Sequence, residues 1–176
     1  MKSTQPTTLN VRFAGLGGTG VIKASDIFAD VAFRSGCEVK KAEVHGMSQR
    51  GGSVTSDVRF GKKVYSPMVP TGEADFVIVL HPSQVENNRY HKKTGGLFFT
   101  VLDLKDGLTQ LSELDSDTSS PVTERNCNIA LLGMLSIHLP FENDIWETAI
   151  KNNLPKKVHD ENLVVFQYGK GITPKS

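Results

Sequence analysis

The sequence is poor in the residues that would hold a redox metal. It has two cysteines in 176 residues, Cys37 and Cys127, far apart and in no CxxC arrangement. Two thiols cannot hold an iron–sulfur cluster or a four-cysteine zinc site, so both are expected to be buried packing residues. The five histidines, His45, His81, His91, His138 and His159, show no pair at metal-ligand spacing, so no metal site is predicted. No apolar run approaches the roughly 18 residues of a membrane span, and the polar start Met-Lys-Ser-Thr-Gln lacks a signal-peptide core. A cytoplasmic protein is expected. Twenty basic against nineteen acidic residues leave a net charge of +1, with no footprint for nucleic acid or a membrane surface.

What is present suits one globular domain over residues 1–176, with 1–9 and 170–176 expected to fray. Hydrophobic residues make up 38%, and 16 glycines bring the apolar share near half, the usual balance for a packed core. The chain is organised around Gly15-Leu-Gly-Gly-Thr-Gly20. This run fits GxGxxG between an apolar segment, Asn10–Ala14, and a helical pattern from Thr19 to Ser35 that Gly36 ends. Such a run turns the backbone tightly out of a strand and points free N–H groups at an anion.

The segment Cys37–Val44 then reads as a second strand paired parallel to the first through a right-handed crossover. Glu43 would be the ribose-binding acid of a dinucleotide site. It is followed, however, by His45-Gly-Met-Ser-Gln-Arg-Gly-Gly-Ser53, a polar loop that departs from the dinucleotide pattern. Ser53–Phe60 alternates, and with Gly61 as turn and Lys63–Ser66 as second arm it reads as a hairpin. Glu73–Leu80 and Leu97–Leu102 read as buried strands, with a short helix from Pro82 to about His91 between them, stopped by Thr94–Gly96. Loops follow to Ser120. Helices are then expected over Asn126–His138, from an Asn143 or Asp144 cap to Lys151, and over Asp160–Tyr168 with Gly169 as terminator. The fold class is α/β: a Rossmann-like three-layer fold with a mostly parallel sheet, a β-hairpin insertion and a helical C-terminal third.

The two loops leave the carboxyl ends of the first two strands and so face one crevice. Candidate binding residues are Gly15, Gly17, Gly18, Thr19 and Gly20 in the first, and His45, Gly46, Ser48, Gln49, Arg50, Gly51 and Gly52 in the second. Arg50 suits a forked contact to phosphate or carboxylate. His45 is a weak candidate for catalysis, because no carboxylate or cysteine partner completes a triad. The glycine run lacks the lysine of a P-loop, and no serine sits in a G-x-S-x-G elbow.

GLGGTGV, HGMSQRGGSV, Ser66-Pro67, Gly72-Glu-Ala-Asp75 and Asn128-Ile-Ala-Leu-Leu-Gly133 together resemble the gamma-type subunit of 2-oxoacid:ferredoxin oxidoreductases, in particular the small beta subunit of indolepyruvate ferredoxin oxidoreductases. Thr19 and His81 depart from the commoner glutamine and acidic residue. The resemblance spans nearly the whole chain and implies one gamma-type catalytic domain, inactive alone. Its larger enzyme decarboxylates a 2-oxoacid (indolepyruvate or pyruvate type), passes electrons to ferredoxin and yields an acyl-coenzyme A. Thiamine diphosphate and iron–sulfur clusters would reside on a large partner subunit, with coenzyme A as co-substrate and the glycine loops facing the active site or the coenzyme A entry. The alternative is a free-standing Rossmann-like nucleotide-binding redox or regulatory protein.

Overall fold

A computed structural model describes residues 8–47 and 51–175. Strand β1 (Thr8–Leu16) leads through the glycine turn into helix α1 (Val21–Arg34), β2 (Glu38–His45) and β3 (Ser53–Gly61). β4 (Ala74–Val79) is followed by a short helical segment over residues 82–91 that contains α2 (Val85–Asn88), and then by β5 (Lys92–Thr100). After two 3-10 turns, helices α3 (Cys127–Ser136), α4 (Asn143–Asn153) and α5 (His159–Lys170) complete the chain.

The five strands form one sheet in the order β2-β3-β1-β4-β5. β1, β2, β4 and β5 run in one direction and β3 runs against them. The ladders β1–β4 and β4–β5 are parallel, while β3 pairs antiparallel with both β1 and β2. The expected parallel pairing of β1 with β2 is therefore absent, because β3 fills the place between them. The hairpin exists, but its arms are β2 and β3, with His45 opposite Val54 and Glu38 opposite Gly61. Residues 63–66 form no strand. The antiparallel partner of Ser53–Gly61 was the preceding strand, and the glycine-bearing loop 46–52 is the connector.

Alternation along β1 sends Val11 and Phe13 to the face covered by α1, α3, α4 and α5. There Phe28 of α1 packs against Phe13, Phe60 and Trp146, with ring centroids 5.3–6.0 Å apart. Every residue of α3 is buried, which is why it shows no polar stripe. The opposite face is thinner: Val77, Val79 and Val85 form a small apolar cluster with Val69 and Ala74 beneath the 82–91 segment. On that face Arg12 and Asp57, opposite one another in the β1–β3 ladder, form a mostly buried ion pair at 2.8 Å. The Val69 N–H donates to the other Asp57 oxygen at 3.0 Å, so the buried carboxylate is satisfied on both sides.

Other expected boundaries shift for physical reasons. β5 begins at Lys92 and runs through Gly95 and Gly96, with an irregular register against β4 between Ala74 and Phe76, while Val101 and Leu102 turn out of it into a 3-10 turn capped by Thr100. Glu142 caps α4, without a side-chain bond, and Asn143 is its first residue. Gly36, at φ 84°, closes α1 as expected: its N–H donates to Phe33 O and that of Cys37 to Ala32 O. Gly169 does not terminate α5. It lies inside the helix, where a Cβ would fall onto the carbonyl of Ala130, and a Cβ on Gly133 would fall onto that of Phe166. The two glycines let α3 and α5 meet backbone to backbone. At the ends of the described chain, Thr8 and Leu9 belong to β1 and the Lys175 N–H donates to Asp103 Oδ1 at 2.7 Å.

Candidate functional site

The carboxyl ends of β1, β2, β4 and β5 gather at one edge of the sheet, where open α/β folds bind ligands. The glycine turn stands in the middle of that edge. Thr19 closes it on itself, its N–H and hydroxyl both donating to Leu16 O, at 3.1 and 2.8 Å. The Gly17 N–H donates to Gly52 O at 2.9 Å, and the Gly46 N–H to Ser53 O at 2.7 Å. The two loops singled out in the sequence are thus stitched to each other. Ser48, Gln49 and Arg50 lie outside the described residues.

The glycines divide into two groups. At Gly15 a Cβ would stand 2.7 Å from Thr19 Oγ1, and at Gly20 (φ 82°) it would stand 2.6 Å from Asn128 Nδ2. These two make room for the chain itself. Gly18 (φ 91°) and Gly51 (φ 65°) face open space, and Gly17 has nothing nearer than 3.8 Å. Gly18 and Gly51 leave bare backbone at the surface for something else to approach, while Gly17 is exposed but donates its N–H to Gly52 O.

Two clefts of about 420 Å³ each flank the turn and share Leu16 and Gly17. The first is lined by Gly18, Gly20, Val21, Ile22, Lys23, Asp26, His45 and Val54. The first-turn N–H groups of Val21, Ile22 and Lys23 have no partner within the helix, and no acidic residue occupies that turn. With the positive end of the helix dipole and Lys23 added, this cleft favours an anion. His45 is exposed, with Nε2 3.4 Å from Glu43 Oε2. Glu43 and Asp26 both hold Lys41 Nζ at 2.5 Å, and the Lys41 hydrogen bond keeps the Glu43 carboxyl below its ordinary pKa. A ribose-binding role fits Glu43 poorly. The insertion of β3 moves β2 one strand spacing, about 4.8 Å, further from the glycine turn than in a dinucleotide fold.

The second cleft is lined by Thr19, Gly51, His81, Thr109, Gln110, Leu111, Ser112 and Glu124 besides the shared residues. Lys23, His81, Thr109, Ser112 and Glu124 were not singled out as binding residues from sequence. Lys23 was within reach, being three residues past the last glycine of the run. The others are brought together only by the sheet.

Burial shifts both cysteines of the chain away from the thiolate form. Of its two cysteines, Cys127 is buried in α3 with its thiol pKa pushed up to about 12, and burial also raises that of Cys37. Neither is poised as a thiolate. Among the described residues, no three His, Cys, Asp or Glu side chains converge, and no helix is long and apolar enough to cross a membrane.

The sequence and the fold are both similar to those of known proteins. Residues 10–172 match the family model described as pyruvate ferredoxin/flavodoxin oxidoreductase. The chain is 46% identical over 190 residues to the indolepyruvate oxidoreductase subunit IorB of Pyrococcus horikoshii, covering 91% of this chain and 93% of that one. It is 33% identical to the same subunit of Thermococcus kodakarensis over 190 residues, covering 91% and 93%. Among solved structures, the keto/oxoacid ferredoxin oxidoreductase gamma subunit of Geobacter sulfurreducens superposes with a TM-score of 0.71 at 23% identity, over 92% of this chain and 95% of that one. The 2-oxoglutarate:ferredoxin oxidoreductase of Magnetococcus marinus, solved with 2-oxoglutarate, coenzyme A and succinyl-CoA bound, superposes with a TM-score of 0.77 at 22% identity. That alignment takes in 94% of this chain but only 31% of the longer one. The chain belongs to the pyruvate ferredoxin/flavodoxin oxidoreductase family, as one of its gamma-type subunits.

Proposed function

We propose that the chain is the small subunit of a 2-oxoacid:ferredoxin oxidoreductase of the indolepyruvate or pyruvate type, and that its glycine-turn crevice receives the phosphate-bearing part of coenzyme A at the entry to the partner's active site. The observation that carries this reading is the first cleft, where bare backbone at Gly18, the free first turn of α1 and Lys23 converge. Such a surface holds an anion without any charged group reacting. Thiamine diphosphate and iron–sulfur clusters sit on a large partner subunit in this reading, and ferredoxin meets the enzyme through the complex. Ser48, Gln49 and Arg50 belong to the proposed contact on their sequence pattern alone, and His45 is a contact residue rather than a proton-transfer group.

The test is Lys23→Glu in the complex reconstituted with its large subunit. Placing a carboxylate in the first turn of α1 is expected to raise the KM for coenzyme A about tenfold with kcat nearly unchanged. An unaltered KM for coenzyme A removes the crevice from the reading. A free-standing dinucleotide protein would bind nicotinamide or flavin cofactors as the isolated chain, and the displaced, Lys41-bound Glu43 speaks against it.

A further inference from the structure

The second cleft has its own chemistry. It opens beyond the carboxyl ends of β1 and β4, where β1 leads into α1 on one face of the sheet and β4 into the 82–91 segment on the other. At such a reversal the loops diverge and leave a crevice.

One wall carries His81, whose ring is held in a single orientation. The Ser83 N–H donates to His81 Nδ1 at 3.2 Å, and the Ser83 hydroxyl lies 2.8 Å from the same atom. With Nδ1 as acceptor, the neutral ring carries its proton on Nε2. Burial lowers the imidazole pKa, against the opposing pull of the Glu124 carboxylate, so the ring is a neutral donor at neutral pH. Glu124 is an acceptor on the same cleft, and the hydroxyls of Thr109 and Ser112 line it as well.

We propose that this second cleft binds an amide of a small neutral ligand arm, its carbonyl accepting from His81 Nε2 and its N–H donating to Glu124. An amide offers one acceptor and one donor on neighbouring atoms. An anion would meet the Glu124 charge, and an ammonium would leave the His81 donor unused. The inference rests on the proposed function in one respect: the charged end of the same ligand lies in the first cleft, which shares Leu16 and Gly17 with this one.

The experiment follows the imidazole and backbone amide NMR signals of the full chain during titration with D-pantetheine, inorganic phosphate and coenzyme A. Pantetheine is expected to shift the His81 ring signal saturably, and phosphate to leave it in place. His81→Asn keeps an acceptor at a position where asparagine is a favoured cap, so the fold is retained while the Nε2 donor is lost. It should weaken pantetheine binding about tenfold, as should Glu124→Ala. No saturable His81 shift with pantetheine, an equal shift with phosphate, or unchanged pantetheine binding by His81→Asn overturns the proposal. Coenzyme A reads the two clefts apart. Shifts at Gly18 and Lys23 with a silent His81 would reject the amide cleft and keep the anion crevice, and the reverse pattern would reject the crevice alone.

Discussion

The chain uses glycine in two places for opposite purposes. In the turn after β1, Gly18 stands at positive φ beside open space, so the backbone is bare for a ligand. Between α3 and α5, Gly133 and Gly169 leave no space at all, because the backbone of one helix occupies the place of the other's Cβ. Gly20 belongs to both kinds, since it needs a positive φ and also abuts Asn128 of α3, whose Nδ2 donates to Gly20 O at 3.3 Å. One helix therefore serves both regions. α3 packs on α5 through Gly133 and braces the turn through Asn128, so the rigid pair supports the exposed loop.

Substitutions grade this contrast. Gly169→Ala pushes a methyl into the Ala130 carbonyl, and neither backbone can yield cheaply. It should lower stability by about 3 kcal/mol, read as a shifted urea midpoint with unchanged slope. No loss, or the gain of up to about 1 kcal/mol that Gly→Ala gives in an unobstructed helix, would mean the helices do not touch here.

Gly20→Ala combines a left-handed backbone with displacement of Asn128 and should cost about 2 kcal/mol by the same measurement. If removing the Asn128 amide as well, in a Gly20→Ala/Asn128→Ala double variant, restores none of the loss, the strain is in the backbone alone. Gly18→Ala meets no atom and should cost about 1 kcal/mol from its φ. Because its Cβ faces the crevice, that variant should show a larger relative effect on the KM for coenzyme A than on stability, and the opposite ranking would make Gly18 a plain turn residue.

The smallest effect is a pH dependence. His91 is buried beneath the thin face of the sheet, and burial together with the Arg12 charge lowers its pKa from the ordinary 6.5. The unfolded chain then binds a proton more readily than the folded one. Stability is full above about pH 6.5 and falls as the pH drops from there toward the lowered folded value. His91→Phe keeps the ring packed on Tyr90, where the centroids are 4.2 Å apart, and should flatten this acid limb in Tm measured against pH.

Much of this was legible in the residues. The 3.6-residue apolar stripe of α1, the unbroken apolar core of β4 and the proline at the start of the 82–91 segment each report a local preference, and local preferences survive into the fold. The partner of β3 was not legible. Gly61 looks like a tight turn into Lys63–Ser66, and nothing in the alternation of Ser53–Phe60 says which neighbour will supply the ladder. Gly169 misleads for a related reason: a glycine near a helix end is more often a stop than a contact, and only the approach of α3 distinguishes the two. At the candidate site the two glycine loops were visible as motifs. The wall formed by His81, Thr109, Ser112 and Glu124 was not, since these are ordinary polar residues until the strand ends place them around one space.

The residues alone determined that the chain would be α/β and that a strand would pass into a helix through Gly15–Gly20. Short-range sterics and hydrophobic periodicity act within a few residues and are written there. The tertiary structure decided that β3 would lie between β1 and β2, so that Glu43 stands away from the turn, and that the turn would separate two unlike clefts. Those outcomes depend on which distant surfaces bury one another, and a strand or a glycine does not carry that information until its neighbour arrives.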